Sequence, residues 1–105
     1  MRKTFIAGNW KMNLSKQEAT DLAVAIAASL GAVTKVDVAV CPSFGYLDAV
    51  GTALGDSPVQ LGAQNLNAND SGAFTGEISG PMLRELGCGL VIVGHSERRE
   101  LFAEC

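Results

Sequence analysis

The sequence predicts an α/β chain of about four parallel βα units whose strands form one open sheet. Three observations carry this reading. Short apolar runs at residues 4–8, 36–41, 59–63 and 90–93 alternate with helical patterns. The second and fourth runs are rich in valine, isoleucine and leucine, as in strands buried on both faces. Two polar clusters, Asn9-Trp10-Lys11-Met12-Asn13 and His95-Ser96-Glu97-Arg98-Arg99, stand just past the first and last runs. In α/β sheets the carboxyl ends of strands are where functional groups collect.

The elements follow in order. After the first run, Ser15 and Glu18 form a capping-box pair that opens a helix. Ala19, Leu22, Ala23, Ile26, Ala27 and Leu30 fall on one stripe, and Gly31 supplies a left-handed stop. A second helix is predicted from about residue 45 to 54, with Phe44, Leu47, Val50 and Leu54 inward and Gly55 ending it. Residues 64–78 make a long polar loop, a length that is often functional. They do not make a calcium loop, since Ile78 occupies the place of the required glutamate. Ser79 caps a third short helix, with Pro81 in its first turn, Leu83 and Leu86 inward and Gly87 as the stop. A further helix is expected to start near Ser96. Right-handed crossovers then make the strands parallel. The repeat of roughly 30 residues is that of a TIM (β/α)8 barrel, of which these units are a part.

At 105 residues the chain is sized for one domain. A net charge of −3, with Arg98-Arg99 flanked by Glu97 and Glu100, gives nucleic acid no footprint. The first apolar run is too short for a signal peptide, and no stretch approaches a membrane span. Three cysteines and one histidine without ligand spacing argue against a metal site and for reduced thiols in the cytoplasm. No complete Gly-x-Gly-x-x-Gly, phosphate loop or Gly-x-Ser-x-Gly elbow occurs, so nucleotide cofactors and serine hydrolysis find no support.

The chemistry rests on strand alternation. If the extended geometry persists, Phe5, Ala7, Asn9 and Lys11 point one way, and Val91, Val93 and His95 likewise. Singly, these polar residues have plain structural readings, in turns or in solvent. Together at one rim, an amide, a cation and an imidazole suit an anionic substrate with a carbonyl: Lys11 would offset oxyanion charge and His95 would donate a proton or hydrogen bond. If Ser96 opens a helix, the positive end of its dipole disfavours a charged His95.

Four stretches in this order and spacing resemble the triosephosphate isomerase family: Gly8-Asn9-Trp10-Lys11-Met12-Asn13, Gly62-Ala63-Gln64-Asn65, Asp70-Ser71-Gly72-Ala73-Phe74-Thr75-Gly76-Glu77-Ile78-Ser79 and Val91-Ile92-Val93-Gly94-His95-Ser96-Glu97-Arg98-Arg99. The resemblance implies interconversion of dihydroxyacetone phosphate and glyceraldehyde 3-phosphate through an enediolate, in glycolysis and gluconeogenesis, without cofactor or metal. It implies that Asn9 and Lys11 hold the substrate, with Lys11 countering enediolate and phosphate charge. His95 would be a neutral electrophile, and Glu97 and Ser96 would support the site. It also implies a homo-oligomer: the loop around Thr75 and Gly76 docks into the partner subunit, and Gln64, Asn65, Glu77 and Arg98 belong to or support that interface. Cys41-Pro42-Ser43 departs slightly, with one proline where the family commonly has two.

The resemblance spans all 105 residues but about the first two-fifths of the family's barrel. Residues 1–105 therefore read as an N-terminal half-barrel fragment. The family's glutamate base, closing lid and main phosphate-gripping loops lie on later strands. The expectation is a piece inactive alone, whose bare sheet face drives self-association as a dimer or higher oligomer. The alternative is a non-catalytic, self-associating folded fragment.

Overall fold

A computed structural model describes residues 4–30 and 36–93. The elements are β1 (Thr4–Asn9), α1 (Lys16–Leu30), β2 (Val36–Cys41), a 3-10 turn (Phe44–Tyr46) leading into α2 (Leu47–Leu54), β3 (Gln60–Ala63), α3 (Gly80–Glu85) and β4 (Cys88–Val91). The strands pair in parallel in the order β1-β2-β3-β4. This is the predicted architecture: one open parallel sheet in the arrangement of a partial (β/α)8 barrel. No described helix is long and apolar enough to cross a membrane.

Side-chain caps start α1 and α3. The Ser15 Oγ accepts from Glu18 N–H at 3.2 Å, and Glu18 Oε1 accepts from Ser15 N–H at 2.9 Å, completing the capping box of α1. Ser79 Oγ accepts from Met82 N–H at 3.3 Å at the head of α3. Gly87, at φ +90°, turns the chain from α3 into β4, as a residue without a Cβ can.

The core lies between the sheet and its helices. Ala19 and Ala23 of α1, Val40 of β2, Leu47, Val50 and Leu54 of α2, Leu61 and Ala63 of β3, and Leu83 of α3 are buried together. Each large side chain among them contributes about 1.5–3 kcal/mol on burial. The stripe drawn for α1 is narrower than expected. Leu22 remains 39% exposed, because steps of about 100° per residue put it at the stripe's margin.

Two strand details differ from the sequence reading. β4 begins two residues earlier than expected, and its pairing with β3 is irregular: Leu61 faces Cys88 but Gly62 faces Leu90. Gly89 is the extra residue, and it reverses which side chains share a face. Leu90 therefore lies on the face of Gly62, Cys41 and Asn9, while Val91 packs with Ala63 against the helices. Val91 does not share the face of Phe5, Ala7 and Asn9, as simple alternation implies. That face is uncovered along β1, where Phe5 is 51% exposed. Ile6, on the opposite face, is 53% exposed.

Candidate active site

The rim at the carboxyl ends of β1, β2 and β3 gathers the polar groups. Asn9 ends β1 and stays in register with Cys41. Its Oδ1 accepts from the Lys11 N–H at 3.0 Å, an Asx turn that bends the chain out of the strand. Lys11 therefore does not continue the alternation of β1. It sits at φ +56°, in the left-handed region that a side chain with a Cβ enters at a cost of about 1–2 kcal/mol. Leu14, at φ +74°, is a second such residue in the same loop. Asn13 Nδ2 closes the loop by donating to Trp10 O at 3.0 Å.

The opposite side of the Lys11 peptide is equally held. Its carbonyl oxygen accepts from Ser43 Oγ at 2.9 Å and from Gln64 Nε2 at 2.8 Å. The same Gln64 nitrogen donates to Cys41 O at 2.8 Å, and Cys41 O also accepts from Trp10 N–H at 3.1 Å. One carboxamide thus ties the first three strand ends together. Strain at Lys11 persists because its surroundings determine it from both ends. The Lys11 side chain is exposed on the rim.

Asn65 follows Gln64 and is buried at 9% exposure. The long loop closes at its base, where Asn67 N–H donates to Ile78 O at 2.7 Å beside the Asn67–Ser79 bridge. Thr75, Gly76 and Glu77 stand exposed, with Gly76 at φ +83° and Glu77 N–H donating to Phe74 O at 3.0 Å. Glu77 Oε1 accepts from Asn67 Nδ2 at 3.5 Å, a long contact. His95, Ser96, Glu97 and Arg98 lie outside the described residues, as does the helix expected from Ser96.

The thiols of Cys41 and Cys88 are both raised above their ordinary range. Burial is the main cause for each, with the Cys88 thiol adding to the rise at Cys41. They are therefore neutral near pH 7, a poor state for nucleophiles. Sequence reasoning missed Ser43 as part of the site and placed Gln64 only at an interface. The available signal was positional: both follow the carboxyl ends of neighbouring strands, as Lys11 does.

The fold and this rim define an α/β chain of the (β/α)8-barrel class, with its polar groups gathered where the strands end. A family model described as triosephosphate isomerase matches residues 4–105, and the chain belongs to the triosephosphate isomerase family. It is 54% identical over 105 residues to the triosephosphate isomerase of Magnetococcus marinus, covering 99% of this chain and 41% of that protein. It is 52% identical over 104 residues to that of Chloroflexus aurantiacus, covering 99% of this chain and 42% of the relative. That of Moorella thermoacetica is 49% identical over 104 residues, covering 99% and 41%. The chain thus spans about two-fifths of the length of the relatives it matches.

Proposed function

We propose that these residues form the N-terminal part of an enzyme that interconverts dihydroxyacetone phosphate and glyceraldehyde 3-phosphate through an enediolate. The carrying observation is Lys11, held by both ends of its peptide at the rim, in a chain of this family. A backbone fixed in this way sets where the Lys11 side chain leaves the rim, which favours an ammonium placed for charge that develops during reaction. In this reading Asn9 and Lys11 hold the substrate, and Lys11 offsets phosphate and enediolate charge. His95 polarises the carbonyl, with Ser96 and Glu97 in support. No metal or cofactor enters the chemistry, and the enzyme works in the cytoplasm.

The reading includes assembly. Gln64, Asn65, Thr75, Gly76, Glu77 and Arg98 form or support a surface between two copies of the complete chain. Residues 1–105 by themselves are a half-barrel that lacks the base supplied by a later strand, so they do not turn over. Their bare face along the first strand, with Phe5 51% exposed, drives self-association.

A coupled assay with dihydroxyacetone phosphate tests the chemistry. Turnover is expected from the complete natural chain and not from residues 1–105. Lys11→Met in the complete chain should lower kcat/KM by at least about 100-fold, the scale of one lost oxyanion-stabilising group. An unchanged kcat/KM would overturn the role of Lys11. Light scattering at micromolar concentration tests the assembly of residues 1–105, and a stable monomer would contradict it.

A further inference from the structure

We propose that Ser43 is a positioning residue for Lys11, acting through its hydroxyl on the Lys11 carbonyl. The inference deepens the function proposed above and rests on Lys11 having the role given there. Ser43 stands at the N-cap of the 3-10 turn, with extended backbone at φ −62° and ψ 152°. A serine there ordinarily accepts from an N–H of the turn it opens. The Ser43 side chain makes no such bond. Its hydroxyl instead crosses to β1's loop and donates to Lys11 O at 2.9 Å. That oxygen already accepts from Gln64 Nε2 at 2.8 Å. Gln64 also grips Cys41 O, so its nitrogen serves two strand ends at once. Among the described residues, the Ser43 hydroxyl bonds Lys11 alone.

The two donors have different consequences. Removing Gln64 disturbs the junction of β1, β2 and β3, whereas removing the Ser43 hydroxyl loosens the left-handed peptide at Lys11 and leaves that junction tied. With one of its three holds gone, the Lys11 backbone at φ +56° spends more time in the ordinary regions of backbone space, and its ammonium moves with it. Ser43 is therefore a residue whose loss should be read at Lys11 and nowhere else on the rim. A proline is compatible with φ −62° and carries no hydroxyl, so it offers a second deletion of the donor without a backbone clash.

The test uses the complete natural chain carrying this sequence, assayed with dihydroxyacetone phosphate. Ser43→Ala and Ser43→Pro should each lower kcat/KM about two- to tenfold, the worth of one net hydrogen bond, while Ser43→Thr keeps the wild-type value. In a Lys11→Met background Ser43→Ala should have no further effect, since the two act as a unit. An NMR readout runs in parallel: the strong amide-to-α-proton contact within Lys11, the mark of positive φ, should weaken in Ser43→Ala. Undiminished kcat/KM in both deletions, or the same loss whether Lys11 is present or not, overturns the proposal. If Lys11→Met is itself without effect, or the chain does not turn over, the function reading fails. The NMR contact then decides Ser43 on its own: weakened supports the clasp, and unchanged ends it.

Discussion

At the scale of the residue, Gln64 shows how one carboxamide fixes a site. Its Nε2 is the shared donor to the carbonyls of Lys11 and Cys41. Gln64→Glu keeps the shape but makes the group an acceptor facing two acceptors. Each carbonyl keeps its other donor, Ser43 Oγ or Trp10 N–H, but two hydrogen bonds are lost, and urea unfolding should show a loss of about 1–3 kcal/mol. The introduced carboxyl is favoured when protonated, so its folded pKa is raised. Stability should be regained as pH falls below the carboxyl's ordinary value, and lost as pH rises through the raised one. Gly62 makes a second residue-level case. A Cβ there would lie 2.7 Å from Cys41 Sγ and 2.8 Å from Leu90 Cδ1, so Gly62→Ala should destabilise by about 1–3 kcal/mol in the same measurement. The buried thiol of Cys41 should react with a disulfide reagent near neutral pH only as fast as the fold opens, and far faster in urea.

At the scale of the element, α1 was the most legible part of the chain. Ser15 and Glu18 are three residues apart, and the reciprocal bonds they form are local, so spacing alone reveals them. The Glu18 carboxyl is held below its ordinary range, first by the Ser15 backbone N–H and then by the Ser15 hydroxyl. A depressed carboxyl contributes above its unfolded pKa, and the contribution is lost as pH falls through the folded one. Ser15→Ala should cost about 0.5–2 kcal/mol and shift the NMR titration of Glu18 back upward. β4 was the least legible strand. The extra residue Gly89 depends on how the chain pairs with β3, so no count along β4 alone could tell that Leu90, and not Val91, joins the face of Cys41. Lys11 failed the alternation rule for a local reason, since the Asn9 carboxamide captures its amide and ends the strand.

At the scale of the whole molecule, the sheet keeps one well-covered flank and one bare one. Helices cover the side of Val40, Leu61 and Ala63, while Phe5 and Ile6 on the first strand remain half-exposed on both faces. Changing Phe5 to lysine removes apolar area and adds charge at this face. It should reduce scattering and dye binding by residues 1–105, with little change in the helical circular dichroism. By itself the sequence determined the order of the described strands and helices, their parallel sense, the amino-terminal caps of α1 and α3 and the family, because each depends on periodicity, neighbouring residues or right-handed crossover. Only the tertiary structure decided the face of β4, the left-handed turn at Lys11 and the hold that Ser43 and Gln64 keep on it. The face of β4 depends on its pairing with β3, and the hold on Lys11 depends on donors and acceptors that lie 32 and 53 residues apart along the chain and meet only when the strands stand side by side.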